Sequence, residues 1–155
     1  MANKTVLTPA QLVEMIPQQF PFRFVDEILE VNELKIKGTY TFKQDEGFYK
    51  GHFPGHPVTP GVILLESMCQ VGVVALGLYL LALEEPTETV GSWTTMFSDA
   101  QVDFLKPVLP GERVTVHVEK IFWRRKKLRC RIEMFADDGS LVAQGTASGV
   151  GVQHG

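Results

Sequence analysis

The chain has 155 residues, 45% of them hydrophobic and 21% charged, with a formal net charge of −3 at pH 7 and an isoelectric point near 5.8. This composition is typical of one soluble globular domain, here residues 1–155, and its acidic balance argues against a nucleic-acid-binding protein, which would be strongly basic. Two cysteines, Cys69 and Cys130, lie in apolar surroundings and are too few for a structural zinc site, so we expect buried thiols, no metal and a cytoplasmic protein.

The N-terminal part of the chain predicts a short helix followed by a strand. Thr8 is a suitable N-cap and Pro9 a suitable first residue for a helix that ends at Met15. We expect residues 1–7 to be frayed. They contain no apolar stretch of the kind that would indicate a signal peptide. Residues 34–44 alternate in part between apolar and polar side chains, which predicts a strand.

The most informative segment is GHFPGHPVTPGVILLESMCQ, residues 51–70. It places His52 in a loop rich in proline and glycine, and Glu66 in the apolar helix that the loop enters. The loop residues of these two types are Pro54, Pro57, Pro60, Gly51, Gly55 and Gly61. Prolines fix φ and stiffen the loop, and glycines allow the backbone to approach another group closely. A histidine, which titrates near neutral pH, together with a carboxyl group suits general acid–base chemistry.

The helix continues through residues 71–83, VGVVALGLYLLAL, without a polar residue. With residues 61–70 the stretch is long enough to suggest a membrane span. Glu66 and Gln70 interrupt it, however, and acidic rather than basic residues follow it, as Glu84 and Glu85. Charges at membrane depth are costly, so we interpret the segment as the buried helix of a soluble protein, with no membrane span.

The remainder of the chain predicts antiparallel strands over residues 92–105, 112–122, 127–135 and 141–152. The alternation of Val114, Val116 and Val118 with polar residues is the clearest of these patterns. Asp137-Asp138-Gly139 predicts the turn before the last strand. We expect a mobile loop over 87–91 and a frayed end over 153–155. One long apolar helix and about five strands predict an α+β domain in which the sheet wraps around the helix.

Three segments of the sequence resemble those of a known family. HFPGHPVTPGVILLE, preceded by IPQQFPFRFVDEI and followed by VDFLKPVLPGE, is similar to the hot-dog-fold 3-hydroxyacyl-[acyl-carrier-protein] dehydratases of the FabZ type, over roughly residues 13–150. The chain departs from that family's usual pattern at Gln18-Gln19, where a basic pair is common, at Thr59, where a larger apolar residue is common, and at Ser67, where alanine is common.

The resemblance implies loss of water from a (3R)-3-hydroxyacyl thioester to give the trans-2-enoyl thioester. It implies that His52 removes a proton from C2, that Glu66 protonates the departing C3 hydroxyl, and that the Gly61 backbone N–H binds the thioester carbonyl, with Gly55 and Pro60 in support. A helix N-terminus suits a developing oxyanion, and a carboxyl group on an apolar helix face has its pKa raised by desolvation. No cofactor is implied, because the substrate carries its own phosphopantetheine.

The other candidate residues have weaker assignments. Gln70 lies one turn beyond Glu66 and either orients it or satisfies a buried backbone group. We expect structural or surface roles for His56, His117 and His154. Five phenylalanines, which core packing explains equally well, are candidates to line an acyl tunnel: Phe20, Phe22, Phe24, Phe97 and Phe104.

The resemblance also implies partners. In the family, the histidine and the acid of one site come from opposite subunits, so a homodimer is expected, and a trimer of dimers is common. A heterologous hot-dog or ketosynthase partner remains open. The basic cluster Arg124, Arg125, Lys126 and Lys127 is either a solvated hairpin turn or a docking patch for an acidic acyl-carrier protein.

Two other functions stay open at this stage. A hot-dog thioesterase would use the same scaffold to present an acid to a water molecule, although the proline-rich histidine loop argues against it. A non-catalytic hot-dog subunit of a synthase complex would not need both His52 and Glu66.

Overall fold

The computed structural model describes residues 4–154. Six antiparallel strands form one sheet in the order β1-β2-β4-β5-β6-β3, and a single long helix packs against it. The strands are β1 (Glu27–Val31), β2 (Lys35–Thr41), β3 (Trp93–Phe104), β4 (Arg113–Arg124), β5 (Lys127–Ala136) and β6 (Leu141–Gln153). The helices are α1 (Pro9–Met15), α2 (Gly61–Cys69), a π-helical segment (Gln70–Leu76) and α3 (Gly77–Ala82), with 3-10 turns at Gly47–Lys50 and Thr87–Ser92. The predicted α+β architecture is confirmed.

The first helix is capped as its sequence predicts. The Thr8 side chain accepts a hydrogen bond from the Gln11 N–H at 3.2 Å, and the Gln11 side chain accepts one from the Thr8 N–H at 2.9 Å. This reciprocal capping box satisfies two donors that the first helical turn leaves free. Leu12 is then fully buried against the core.

Segments α2, π and α3 run continuously as one central helix, Gly61–Ala82. This helix is long and apolar enough to span a membrane by length and composition, but 72% of its most apolar 18-residue window is buried inside the domain. Every residue from Ser67 to Ala82 is buried. The helix is therefore the core of a soluble domain, because the curved sheet removes its apolar surface from water.

Strand β1 was not among the predicted strands. Only Ile28 of its five residues is buried, and a bulge between Ile28 and Glu30 breaks its register with β2. A short edge strand with one buried side chain leaves almost no period-2 pattern in the sequence. The other strands lie within a few residues of their predicted bounds.

Three segments that were expected to be mobile or frayed are ordered. Residues 87–91 lie in the 3-10 turn Thr87–Ser92, whose Val90 is buried. At the N-terminal end, the Thr5 N–H donates to the Ala82 carbonyl at 3.0 Å and Leu7 is buried. At the other end, β6 runs through Gln153, so backbone pairing extends further than the side chains suggest. Residues 1–3 and 155 lie outside the described residues.

Candidate active site

The proline-rich loop is held by hydrogen bonds of its own backbone. The Val58 N–H donates to the His52 carbonyl at 3.0 Å, and the N–H groups of Phe53 and His56 each donate to the other residue's carbonyl, at 3.2 and 2.9 Å. Gly55 has a φ of +77°, which an L side chain rarely adopts, so the supporting role predicted for Gly55 has a conformational basis in this tight turn. Because several hydrogen bonds close the loop, His52 lies on a fixed backbone.

The His52 ring has one nitrogen engaged. Its Nδ1 lies 2.9 Å from the Val58 carbonyl oxygen, an acceptor only, so in the neutral ring Nδ1 carries the proton and Nε2 has the free lone pair. The ring also stacks on Phe53, with 4.1 Å between the ring centroids. This arrangement presents Nε2 as a proton acceptor, which is the form that a general base requires.

Glu66 is half-buried on the first part of the central helix, where its neighbours are apolar. Burial raises the pKa of the Glu66 carboxyl, and the hydrogen bond from Gln70 acts in the opposite direction without cancelling the rise. A carboxyl group whose neutral form is favoured in this way can hold a proton to donate. The expectation of a raised pKa for this residue is in accord with its surroundings.

Gln70 is fully buried and fulfils both of the functions considered for it. Its Nε2 donates to Glu66 Oε2 and to the Phe22 carbonyl, both at 2.8 Å, and its Oε1 accepts from the Phe24 N–H at 2.7 Å. The amide therefore orients the carboxyl group and also satisfies two backbone groups of the segment before β1. One side chain joins the central helix, the acid and the residue 22–24 segment.

The central helix begins at Gly61 directly after Pro60, whose φ of −58° and missing N–H suit the N-cap position. No side chain caps this end of the helix. A Cβ atom at Gly61 would lie 3.4 Å from the Phe104 ring, an ordinary van der Waals distance, so this ring lies beside the start of the helix. The helix start is thus able to bind an oxygen that bears negative charge.

Two small cavities lie beside the central helix. One, of about 40 Å³, is lined by Gln18, Glu66, Cys69, Val73, Val74, Thr95 and Phe97. The other, of about 20 Å³, shares Val73, Val74 and Thr95 with it and extends past Leu78 and Leu81 to Trp93 and Trp123. Two buried polar side-chain atoms among the described residues have no hydrogen-bond partner, Gln18 Oε1 and Trp93 Nε1, and each belongs to a residue that lines one of these cavities.

His52 and Glu66 are not brought together within one copy of the chain. His52 does not line the cavity that contains Glu66, and neither side chain is a hydrogen-bond partner of the other among residues 4–154. Acid–base chemistry that uses both groups would therefore join them through a substrate that spans them, or take one of them from a second polypeptide.

The phenylalanines proposed for an acyl tunnel have different environments. Phe24 is fully buried in the core, and its ring packs against those of Phe22, Tyr40, Phe42 and Phe48. Phe97 lines the cavity beside Glu66 and is 51% exposed, whereas Phe20 is 92% exposed. Phe97 is thus in the position of a tunnel residue, and Phe24 belongs to the core.

The basic cluster forms the β4–β5 hairpin turn, in which Arg125 and Lys126 have φ values of +52° and +62°. Lys126 is not free for docking, because its Nζ contacts the carboxylates of Glu84 and Glu85 at 2.6 and 3.0 Å. Arg124 and Arg125 are exposed, and the Arg124 guanidinium stacks over the Phe122 ring. A docking role at this turn therefore rests on Arg124, Arg125 and Lys127.

The three other histidines lie apart from Glu66. His56 is exposed at the rim of the loop. His117 on β4 is half-buried, its ring packs edge-on against Phe135, and its pKa is lowered mainly by burial. His154, expected in a frayed tail, lies 2.6 Å from the Thr94 hydroxyl through its Nε2. Within residues 4–154, no group of three or more His, Cys, Asp or Glu residues is placed to hold a metal ion.

Several supporting contacts were not predicted from the sequence. The Tyr49 and Thr59 hydroxyls lie 2.6 Å apart in the core, which explains a polar residue at position 59. The Ser67 hydroxyl donates to the Phe24 carbonyl at 2.8 Å. Arg23 donates to the carbonyls of Ile16 and Gln18 at 2.7 and 2.9 Å. The Ser67 and Arg23 bonds hold the segment over residues 16–24, and no local sequence pattern indicates any of these partners.

Comparison with known sequences identifies close relatives. A family model described as the FabA-like domain matches residues 16–146. The 3-hydroxyacyl-[acyl-carrier-protein] dehydratase FabZ of Geotalea uraniireducens is 39% identical over 117 residues, which cover 74% of this chain and 77% of that protein. The FabZ of Paramagnetospirillum magneticum is 36% identical over 143 residues, which cover 91% of this chain and 84% of that protein.

Comparison with solved structures identifies the fold. The dehydratase heterocomplex ApeI:P of Xenorhabdus doucetiae superposes with a TM-score of 0.73 at 15% identity, covering 96% of this chain and 93% of that one. A thioesterase of Haemophilus influenzae superposes with a TM-score of 0.67 at 18% identity, covering 99% and 96%. The sheet wrapped around a central helix is the hot-dog fold, as the sequence predicted, and at these identities the structures show the fold alone.

Proposed function

The chain belongs to the FabA-like family, in which it is a 3-hydroxyacyl-[acyl-carrier-protein] dehydratase of the FabZ type, and we propose that His52 and Glu66 carry out its reaction. The observation that supports this assignment most strongly is that one of the two groups can accept a proton and the other can donate one. His52 presents Nε2 as an acceptor because Nδ1 is engaged by Val58, and Glu66 has a pKa raised by burial, so it can donate.

The reaction follows from these two states. His52 Nε2 takes a proton from C2 of the (3R)-3-hydroxyacyl thioester, and negative charge develops on the thioester oxygen. The C3–O bond breaks as the Glu66 carboxyl transfers its proton to the departing hydroxyl, so that water and the trans-2-enoyl thioester are formed. Each proton transfer by a positioned side chain contributes about 10²–10⁴-fold to the rate.

The developing oxyanion would be stabilised at the start of the central helix. The Gly61 N–H is directed along the helix axis, where the dipole is positive, and Pro60 fixes the chain that enters it. A preorganised donor of this kind costs no reorganisation during the reaction. The mechanism uses no cofactor or metal, since the substrate brings its own phosphopantetheine arm.

We propose that two copies of the chain share each site, with His52 from one and Glu66 from the other. Strand β3 is an edge of the sheet, and its outer residues Met96 and Phe97 are 57% and 51% exposed. A long edge strand with an unpaired backbone is a template for pairing with another chain. A two-fold dimer would cover it and would create two equivalent sites.

Mixing two inactive variants tests the shared site. His52→Ala and Glu66→Gln each remove one group, and random reassembly makes half of the dimers mixed, each with one intact site of two. Activity of about a quarter of the wild-type value should then return. Complete inactivity of the mixture, with mixed dimers verified by mass spectrometry, would place both groups in one subunit and contradict the proposal.

The natural substrate is proposed to be the acyl group on an acyl-carrier protein in fatty-acid biosynthesis, in the cytoplasm. Exposed Arg124 and Arg125 and partly exposed Lys127 form a basic turn on an otherwise acidic protein, which suits an acidic carrier. Assembly into a trimer of dimers, or with another hot-dog or ketosynthase subunit, is compatible with this fold. The thioesterase alternative is weaker, because the thioesterase structures share the fold at under 20% identity, whereas two FabZ dehydratases are 39% and 36% identical to this chain.

A further inference from the structure

Gln18 presents a buried acceptor beside the proposed acid. Its Oε1 has no hydrogen-bond partner although it is inaccessible to water, and the side chain lines the same cavity as Glu66. Buried polar atoms in folded proteins are almost always paired, and an unpaired one calls for an explanation such as a ligand. The backbone at this residue is held in place, because Arg23 Nε donates to the Gln18 carbonyl at 2.9 Å.

The cavity is of a size and chemistry that suit a hydroxyl group. Its volume is about 40 Å³, and roughly 10–15 Å³ is enough for one water molecule. Gln70 engages Glu66 Oε2, so the transferable proton belongs on Oε1. A hydroxyl oxygen can accept one hydrogen bond while its hydrogen is donated to another group. The acid and the amide oxygen together supply those two complementary partners.

We propose that Gln18 is a substrate-binding residue that accepts a hydrogen bond from the C3 hydroxyl. This proposal rests on the proposed function of Glu66. The Glu66 carboxyl donates to the hydroxyl oxygen, and the hydroxyl hydrogen is donated to Gln18 Oε1. When the C3–O bond breaks, the Glu66 proton joins that oxygen, and the water so formed keeps its hydrogen bond to Gln18. Gln18 thus selects 3-hydroxyacyl over 3-deoxyacyl chains and orients the leaving group.

Binding of two ligands that differ by one oxygen tests the proposal. In the Glu66→Gln background, which should not turn over, the dissociation constants of (3R)-3-hydroxybutyryl-pantetheine and butyryl-pantetheine are measured by calorimetry. Adding Gln18→Met keeps the side-chain length and removes the acceptor. We expect the preference for the hydroxy ligand to fall about tenfold, with butyryl binding unchanged, since a buried amide that loses its partner is penalised.

Gln19→Met is the matched control, because Gln19 is the adjacent, exposed glutamine and its Nε2 donates only to the Ile16 carbonyl. It should leave the preference unchanged. If Gln18→Met weakened the binding of both ligands equally, the role of Gln18 would be structural. If the preference for the hydroxy ligand were unchanged, Gln18 would have no role in recognising the hydroxyl group. Either result overturns the proposal. Failure of the proposed function is a separate result, since it would appear as retained turnover in the Glu66→Gln protein.

Discussion

At the residue scale, the protonation of Glu66 is decided by two opposing contacts. Burial favours the neutral acid, and the Gln70 amide, which donates to Oε2, favours the carboxylate. The balance of the two leaves the pKa of Glu66 above its ordinary value, because desolvation is the larger effect. The same amide also holds the segment at residues 22–24, so the orientation of the acid is tied to the packing of the core.

Replacing Gln70 should shift the pH dependence of the reaction. Gln70→Met removes the contact that lowers the Glu66 pKa, so that pKa should rise, and the decline of kcat at alkaline pH should move to higher pH. The Phe24 N–H and the Phe22 carbonyl lose their partner, which should cost about 1–3 kcal/mol of stability for each buried group. A kcat profile from pH 5 to 9 and urea unfolding provide the measurements. An alkaline limb that moves to lower pH would contradict this account.

Glu66 should also reduce the stability of the fold at neutral pH. Its folded-state pKa is raised above the ordinary value of 4.5, so between those two pKa values the folded state binds more protons than the unfolded state. Stability contributed by the neutral acid is complete below the unfolded pKa and is lost as pH rises through the folded one. Glu66→Gln, which cannot ionise, should therefore have a higher Tm than wild type at pH 8 but little advantage at pH 4.

Calorimetric scans at the two pH values check this expectation. Glu14→Gln, an exposed carboxyl on α1, serves as the control and should show no comparable pH-dependent gain. If Glu66→Gln gave the same change in Tm at both pH values, ionisation would not be the cause.

How much of the site could be predicted depends on how local each contact is. His52, Glu66 and Gly61 lie in one short segment whose residue types indicate their chemistry. The two roles of Gln70 were foreseen as alternatives, because its spacing from Glu66 is local but its contact with the residue 22–24 segment is not. The Tyr49–Thr59 pair and the ion pair of Lys126 with Glu84 join residues through the fold, so the sequence pattern could not show them.

At the element scale, the central helix was predicted, but its π-helical middle over Gln70–Leu76 was not. Hydrophobic periodicity reports which residues are apolar, and on a helix buried on all sides it reports little about local winding. The wider turn depends on what packs around it, and here strands β4 and β5 press against Gly72. Sequence therefore indicates where this helix begins and ends better than how it is wound.

Substitution by alanine should have opposite effects on stability at two glycines of the central helix. A Cβ at Gly72 would lie 3.1 Å from Ile132 Cδ1 and 3.3 Å from both Val118 methyl groups, whereas a Cβ at Gly77 would meet nothing closer than 3.8 Å. Both neighbours of Gly72 are buried strand residues that cannot easily move. Gly72→Ala should destabilise by about 1–3 kcal/mol through overpacking, and Gly77→Ala should be neutral or stabilise by up to about 1 kcal/mol.

Urea unfolding of the two variants checks this expectation at positions five residues apart in one helix. Equal stabilisation of both would show that helix backbone freedom, rather than contact with the sheet, governs these sites.

At the scale of the whole molecule, positive charge is concentrated at one turn although the net charge of the protein is negative. The chain carries a formal net charge of −3, yet the β4–β5 turn presents two exposed arginines, while the neighbouring Lys126 is neutralised by Glu84 and Glu85. Part of the basic cluster thus stabilises the hairpin, and part remains available to solvent. Composition alone could not divide the cluster in this way.

Reversing one exposed charge should separate carrier docking from chemistry. Arg125→Glu should raise KM for an acyl-carrier-protein substrate about three- to tenfold, as expected for surface charge pairs, and leave kcat unchanged. KM for the matching pantetheine thioester should not change, because that ligand lacks the carrier. Lys35→Glu, the same charge reversal on exposed β2, is the control. If the two variants had equal effects, Arg125 would act only through the net charge of the protein, and docking at this turn would be contradicted.

The burial of Cys69 has a consequence for inhibition. Its thiol lines the cavity beside Glu66, but burial raises its pKa, as burial raises that of Cys130 to about 12. A thiol that stays protonated is a poor nucleophile and resists oxidation. Electrophilic drugs that react with thiolates would therefore find none at Cys69, and a covalent inhibitor would need a nucleophile outside this cavity, such as the free nitrogen of His52.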